Sequence, residues 1–466
     1  MVGLTEFDKA LKPAPVIAKS WDVLDGGKKI VFHLRDDVQW TDGKKVRAQD
    51  FEYSWKRLLR PKTASQYAYI LFDIVNAQEY AEGKIKDPST VGVQAQDEQT
   101  LVVTLRHPAA YFLAITTFEV TYPQRQDVIE KFVNRWTEPG NIVTNGPFLL
   151  SSWKHENEIE LSVNPKFFRG RPAMDKVTMY MINEKTTAVA MYEQGNLDFM
   201  DDHSIPALDK PRLSKMPGYK LVPQLRGEYY GFAVDRKPFD NVKLRKAFAM
   251  AIDRSVFPKI LQGGQTPATS WIPPGMLAHN PEIGLPFNPG EAKRLLSEAG
   301  YPDGKGMPAI VLGYNTLDDH KLVAEAVQSM WQKYLNVIVR IENQEWKVYL
   351  KKLQTDPFVV HRAGWGADYP DPDNFMKLFT SNSGNNHGRW KNSRYDQLLE
   401  QAAEEQDSAK RVKLYNEAEK LLTETDAAIV PLFWTTEATM LNPKFIGLEY
   451  NSMARMNLLN AKRAGK

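Results

Sequence analysis

The sequence predicts a mixed α/β fold (α+β in part) divided into more than one domain, and three observations support this prediction. At 466 residues the chain exceeds the size at which one hydrophobic core stops growing. Its first third alternates short strand patterns with polar turns. Its second half contains a strand–helix–strand pattern with strands at 310–314 and 337–341, which we expect to pair in parallel across a helical crossover.

The opening third predicts a small α+β unit. A hairpin is expected over residues 21–34, because apolar residues alternate on both sides of an Asp-Gly-Gly turn. A helix should follow, since Phe51, Trp55 and Leu58 recur at helical spacing and Pro61 ends the pattern. A second hairpin is predicted over residues 91–105. The alternation therefore favours a sheet covered by one helix.

The second half predicts an α/β lobe. Apolar residues at helical spacing mark helices beginning near residues 242 and 291, and Gly300 is the expected end of the second one. Buried strands are expected at 358–362 and 428–434. Because no low-complexity linker interrupts the chain, we expect short crossing segments and hinge motion between the lobes.

Composition excludes several classes of function. Lys and Arg total 60 against 57 Asp and Glu, and the basic residues are scattered, so nucleic-acid binding has no electrostatic support. No apolar run approaches the ~20 residues that span a bilayer. The chain has no cysteine, which removes disulfides and zinc–thiolate sites. Its first residues show neither the basic nor the apolar region of a signal peptide.

The motifs of catalysis and metal binding are also missing from the sequence. The eight histidines show no helical i, i+4 pair with an adjacent Glu, and no Gly-x-Ser-x-Gly motif occurs. The turn at 300–306 lacks the spacing and the Ser or Thr of a phosphate loop. We therefore predict no catalytic residue, no metal site and no cofactor.

The segment 361–375 is the strongest functional signal. It leaves the carboxyl end of a predicted strand, which is where open α/β sheets place ligand-binding loops. It contains an Arg, a Trp between two glycines and three acids. The acids do not have the spacing of a calcium loop, and Asp371 and Asp373 are expected to serve as turn and helix-cap residues beside two prolines.

Several motifs in register resemble a known family. Residues 362–369 (RAGWGADY) follow 342–346 (ENQEW), and the segments 40–43, 50–55, 143–146, 239–253 and 428–431 agree in the same order. The chain resembles the oligopeptide-binding proteins of bacterial ABC importers, which are periplasmic solute-binding proteins of family 5, cluster C. The match extends over nearly the whole chain.

The resemblance implies a two-lobed periplasmic-binding-protein-like fold with an additional small domain. It places domain II at 3–120, domain I at 121–225 and 436–466, and domain III at 226–435. It further implies a non-catalytic monomer in the periplasm, or lipid-anchored at the cell surface, that encloses a short peptide between lobes and delivers it to an inner-membrane ABC permease.

The resemblance also assigns the principal contacts of the peptide. It pairs Asp368 with the peptide α-amino group, a charge-assisted contact of the stronger kind. It places Arg362 against a C-terminal carboxylate, for which a guanidinium is suited, although an internal ion pair is the alternative. Gly364 and Trp365 are expected to contribute backbone and a wall.

Three further aromatic residues complete the expected peptide-binding set. Trp346 and Tyr230 are expected to line the pocket or to belong to the core, and both alternatives stay open. Trp434 is the third of these residues and is also expected to contact the peptide. By comparison with the family, the chain is expected to lack the first strands of domain I, and Gly227 and Gly366 stand where some relatives carry a cysteine pair.

Two alternatives compete with this interpretation. The same fold could bind dipeptides, murein peptides or another small solute. A carbohydrate-binding or glycoside-hydrolysing protein is the alternative of a different class, because tryptophans and carboxylates also suit sugars; such an enzyme needs two acids that face one bond.

Overall fold

The computed structural model describes residues 1–65 and 67–464, which form two compact units. The first comprises Met1–Thr187, Pro443–Tyr450 and the described chain from Met456 onward, and the second comprises Ala188–Asn442 and Asn451–Arg455. The chain passes between them at 187/188, 442/443, 450/451 and 455/456. The finer division into three domains stays a prediction.

The strands of the described chain are, in order, β1 (Thr5–Phe7), β2 (Pro13–Pro15), β3 (Ala18–Leu24), β4 (Lys29–Leu34), β5 (Val93–Ala95), β6 (Thr100–Thr104), β7 (Phe148–Lys154), β8 (Glu158–Val163), β9 (Lys176–Tyr180), β10 (Phe199–Met200), β11 (Tyr219–Phe232), β12 (Thr266–Pro267), β13 (Ile310–Asn315), β14 (Val339–Gln344), β15 (Val360–Gly366), β16 (Ile429–Leu441), β17 (Phe445–Ile446), β18 (Glu449–Tyr450), β19 (Met456–Asn457) and β20 (Lys462–Arg463).

The α-helices are α1 (Ala48–Leu59), α2 (Ala77–Ala81), α3 (Phe112–Ile115), α4 (Gln126–Phe132), α5 (Lys185–Glu193), α6 (Lys210–Leu213), α7 (Val242–Met250), α8 (Phe257–Leu261), α9 (Pro289–Glu298), α10 (Asp318–Leu335), α11 (Trp346–Thr355), α12 (Pro372–Met376), α13 (Ser393–Glu404) and α14 (Ser408–Lys420). No helix within 1–65 and 67–464 is both long and apolar enough to span a bilayer.

The first unit is built on small antiparallel sheets. The predicted hairpins are confirmed as β3–β4 and β5–β6, which form one sheet in the order β3-β4-β6-β5. Helix α1 buries Phe51 and Trp55, and the Trp55 indole donates to the Thr121 carbonyl at 2.7 Å. A second sheet has the order β7-β8-β9.

The second unit is organised by a seven-stranded mixed sheet. Its order is β10-β16-β11-β15-β13-β14, and β12 pairs with β16. Strands β13 and β14 are parallel as predicted, and β15 is also parallel to β13, whereas β11 is antiparallel to β15. The carboxyl ends of β13, β14 and β15 therefore meet at one edge of the sheet.

Helix α10 connects β13 to β14 and covers the hydrophobic core. Asp318 and Asp319 lie in its first turn, where they complement the helix dipole, and Asn336 ends it in the left-handed conformation (φ 55°). Its Trp331 is fully buried, and the indole N–H donates to the Phe248 carbonyl at 2.9 Å. Burial of an aromatic ring with its polar atom satisfied anchors α10 to α7.

One carboxyl group in this unit is buried without a counter-charge at hydrogen-bond distance. Glu419 of α14 accepts hydrogen bonds from the backbone N–H groups of Trp271 and Ile272, the latter at 2.8 Å. Burial raises the pKa of Glu419 to about 8, because desolvation of the carboxylate outweighs those two hydrogen bonds. At neutral pH the group is therefore mostly protonated.

This raised pKa makes stability depend on pH. Because the folded-state pKa lies above the ordinary 4.5, the contribution of Glu419 is fully present below pH 4.5 and is lost as the pH rises through 8. Between pH 5 and pH 9, the unfolding free energy of the wild type should fall by about 4 kcal/mol because Glu419 ionises. Glu419→Gln should abolish this fall. Urea unfolding at both pH values measures it.

The matched control is Glu417→Gln, which lies on the same helix, is half-exposed and bonds to Arg394. It should leave the pH dependence of the wild type unchanged. Parallel stability curves for the wild type and Glu419→Gln between pH 5 and pH 9 would contradict the assignment.

Candidate functional site

The carboxyl edge of the three parallel strands collects most of the predicted peptide-binding residues. Strand β13 ends at Asn315, β14 leads into Trp346 at the start of α11, and β15 leads into Asp368. The antiparallel strand β11 brings Glu228 to the same edge, opposite Gly364. Open α/β sheets bind ligands outside the carboxyl ends of their strands, so this edge is the candidate site.

A buried ion pair lies at this edge. The Arg362 guanidinium donates to Glu228 Oε2 from Nε at 2.7 Å and again from Nη2, and its Nη1 donates to Asn315 Oδ1 at 3.1 Å. The two charged side chains are 8% and 7% exposed. The internal ion pair that the sequence left open is thus present. Contact between Arg362 and a peptide carboxylate stays a prediction.

The charges around this pair determine its ionisation. Burial opposes ionisation of Glu228, but the Arg362 and Arg226 charges outweigh burial and hold the pKa of that carboxyl below its ordinary value. Burial, assisted by the Arg362 charge, lowers the pKa of His320 to about 4. At neutral pH the glutamate is therefore ionised and the imidazole is neutral.

Asp368 is held by a second buried side chain, Asn374. Asn374 Oδ1 accepts from the Asp368 backbone N–H at 3.1 Å and from Trp365 Nε1 at 2.9 Å. Its Nδ2 donates to Asp368 Oδ2 at 3.3 Å. Arg455 Nη2 donates to the Asp368 backbone carbonyl at 3.1 Å. One amide therefore positions both the carboxylate and the indole that were predicted to contact peptide.

Charged and aromatic side chains of neighbouring elements hold the loop that follows Asp368. Asp371 caps α12 by accepting from the Asp373 backbone N–H at 3.0 Å, which confirms its predicted role. The Asp371 carboxylate also receives two hydrogen bonds from Arg411, at 2.9 and 3.1 Å. Trp271 Nε1 donates to the Phe375 carbonyl at 3.1 Å. These bonds give the loop few alternative conformations.

The four predicted aromatic residues occupy different environments. Trp346 is 48% exposed at the first turn of α11, and half-buried Trp365 bonds to Asn374. Trp434 is buried on β16 opposite Gly227, packs edge-on against His279 and has no hydrogen-bond partner for its indole N–H among the described residues.

Tyr230 lies in the hydrophobic core, which is one of the two places that the sequence left open for it, and its role in peptide binding stays a prediction. Its side chain is 1% exposed and its ring packs against Trp331 at 6.4 Å between centroids. The physical reason is the alternation of β11, which turns Tyr229 toward Trp271 and Tyr230 toward α10.

Sequence reasoning missed Glu228, Asn374 and Arg455. Glu228 had a usable signal, because an acid inside a buried strand needs a partner. Asn374 gave no separate signal, because it stands among the residues expected to cap α12. Arg455 gave none either, because it lies 87 residues after Asp368, whose backbone carbonyl it contacts. Within the part of the chain that the structure describes, no three His, Cys, Asp or Glu residues gather where they could hold a metal ion.

Known proteins are similar to this chain in sequence and in fold. The sequence profile of the bacterial extracellular solute-binding proteins, family 5, matches residues 12–387. The chain is 38% identical to the periplasmic oligopeptide-binding protein OppA of Escherichia coli over 453 residues, which is 95% of the chain and 82% of that protein. It is 34% identical to the probable deoxycholate-binding periplasmic protein YgiS of the same organism, over 95% of the chain and 83% of that protein.

Among solved structures, the murein tripeptide binding protein MppA of Escherichia coli superposes with a TM-score of 0.87 at 33% identity, covering 99% of this chain and 92% of that one. Haemophilus influenzae OppA in complex with RPPGFSPFR superposes with a TM-score of 0.85 at 32% identity, covering 99% and 92%. The fold, the profile match and these relatives together show that the chain belongs to the bacterial extracellular solute-binding proteins of family 5.

Proposed function

We propose that this chain captures short peptides outside the cytoplasmic membrane and delivers them to the permease of an ABC importer, without catalysing a reaction. Relatives named as oligopeptide- and murein-peptide-binding proteins support the ligand class, and one of them was solved with a bound peptide. The periplasmic location, the monomeric state and the permease partner are parts of the same proposal.

The observation that carries the proposal is the placement of Asp368. Its carboxylate stands at the carboxyl edge of the sheet, on a loop fixed by Asn374 and by the Asp371–Arg411 pair. A carboxylate held in one orientation is suited to the ammonium of a peptide, because a charge-assisted hydrogen bond gains most when neither partner must be reordered. Trp365, whose indole N–H donates to the same Asn374 side chain, is the proposed contact for the first residues of the peptide.

The arrangement gives no support to sugar hydrolysis. A glycosidase needs two carboxyl groups that flank one bond, one of them able to donate a proton. Among the described residues of this edge, Glu228 is bound to Arg362, and its lowered pKa makes it a poor proton donor. Simple binding of a ligand with a cationic end is the chemistry that this edge supports.

One prediction of this proposal concerns Asp368→Ala. Removing a charged hydrogen-bond partner costs about 1.5–3 kcal/mol, so affinity for peptides with a free amino terminus should fall about 10- to 100-fold. N-acetylated peptides should bind the wild type and the variant equally weakly. Isothermal titration calorimetry with matched free and acetylated peptides measures this difference, and mass spectrometry of small molecules released from gently purified protein identifies natural ligands.

Asp356→Ala is the control, because Asp356 is exposed at the end of α11 in the same unit. It should bind both peptides as the wild type does. Equal affinity of Asp368→Ala and the wild type for free peptides would refute the role of Asp368. Binding of deoxycholate but of no peptide, in the same titrations, would refute the proposed ligand class.

Another prediction of this proposal concerns Asn374→Leu. Leucine has about the same volume but offers neither the acceptor for Trp365 and Asp368 nor the donor to Asp368 Oδ2. We expect an affinity loss of about tenfold for free peptides and a smaller ratio between free and acetylated peptides, because the carboxylate is no longer oriented. Titration calorimetry with the same peptide pairs measures both quantities.

The control for lost stability is Asn392→Leu. Asn392 caps α13 and bonds to Asp426, so its substitution also removes amide hydrogen bonds from a partly buried position of the second unit. It should lower the melting temperature without changing the ratio between free and acetylated peptides. If both variants change that ratio equally, Asn374 has only a structural role.

A further inference from the structure

The buried pair of Glu228 and Arg362 raises a question of ligand specificity that the fold alone does not answer. An arginine at the binding edge of a peptide receptor would ordinarily attract a carboxylate, because its planar fork matches that group. Here the fork already holds a carboxylate from the protein itself. Three of the five guanidinium N–H groups donate to Glu228 or to Asn315.

The surrounding residues are shaped to keep this pair in place. A Cβ atom at Gly364 would lie 2.5 Å from Glu228 Oε1 and 3.0 Å from Arg362 Nη2, so a larger residue there would displace the paired side chains from their present positions. The Tyr349 hydroxyl lies 2.8 Å from the Arg362 backbone carbonyl and 2.9 Å from that of Gly313. Arg362 is thus held by hydrogen bonds both at its backbone carbonyl and at its guanidinium.

Neither of the two basic residues beside the pair, Arg226 and His320, supplies a buried positive charge in place of the neutralised Arg362. Arg226 lies 3.8 Å from Glu228 Oε1 and helps to hold the pKa of that carboxyl low, but its side chain is 41% exposed, so solvent weakens its attraction for an incoming carboxylate. His320 is neutral, since burial lowers its pKa to about 4. An incoming carboxylate that approached Arg362 would therefore also meet the Glu228 charge at almost the same distance, and the two forces would largely cancel.

We propose that Glu228 is a specificity-determining residue: by neutralising Arg362 it prevents selection for a carboxyl terminus at this edge, so that the protein accepts peptides whether the chain ends there or continues. This inference rests on the proposed function. It defines the ligand class as peptides recognised through their amino terminus, with the carboxyl terminus left unselected. It replaces the expected contact between Arg362 and the peptide carboxylate.

The test compares peptides that differ only at the carboxyl end. Tri-, tetra- and penta-alanine, each with a free amino terminus and either a free carboxylate or a C-terminal amide, are titrated into the full chain by calorimetry. Three peptide lengths are needed because the residue that lies beside Arg362 depends on length. We expect the wild type to bind each acid and its amide within about threefold of one another.

The two single substitutions should move this ratio in opposite directions. Glu228→Gln uncovers the Arg362 charge, and at least one acid should then bind about tenfold better than its amide. Arg362→Gln leaves the Glu228 carboxylate without its counter-charge. At the same peptide length, the amide should then bind better than the acid. The double variant should return to equal binding. Glu282→Gln, an exposed surface change, is the matched control and should behave as the wild type.

A single buried charge can destabilise the fold, so circular dichroism is recorded for every variant. If Glu228→Gln does not fold, Arg362→Gln and the double variant still decide the question through the sign of the acid-to-amide ratio. A wild type that prefers acids tenfold or more, with that preference lost in Arg362→Gln, would overturn the inference while leaving the proposed function intact. A wild type that binds none of the six peptides would overturn the proposed function itself.

Discussion

The position of β15 in the sheet is the constraint on which the candidate site depends. This strand is hydrogen-bonded to β11 on one side, antiparallel, and to β13 on the other, parallel. Only this mixed pairing brings the carboxyl ends of three strands and the acidic position of β11 to one edge. Because side chains alternate along a strand, the same pairing puts Glu228 beside Gly364 and turns Trp365 to the other face.

The edge is stabilised by polar groups that would be costly if they were unpaired. The Glu228–Arg362 and Asp371–Arg411 pairs are largely buried, and each arginine makes more than one hydrogen bond to its carboxylate. Buried ion pairs contribute little net stability relative to well-packed apolar residues, but removing one partner leaves an unpaired charge and is strongly destabilising. Such pairs therefore restrict the site to one arrangement more than they stabilise the fold.

Ligand specificity in this protein can be understood as a division of charge along the edge. At one end, Asn374 presents the Asp368 carboxylate with its orientation set. At the other, Glu228 cancels the charge of Arg362. A receptor built in this way would hold a peptide by its amino terminus and tolerate varied lengths.

The sequence by itself determined the elements and the family. Alternation and helical spacing were sufficient for the hairpins β3–β4 and β5–β6 and for the parallel pair β13–β14, because these patterns reflect burial over a few consecutive residues. Separate motifs in register identified the family. Only the tertiary structure decided that Tyr230 lies in the core and that Arg362 is paired, because its partner Glu228 lies 134 residues earlier in the chain and only the sheet register joins them.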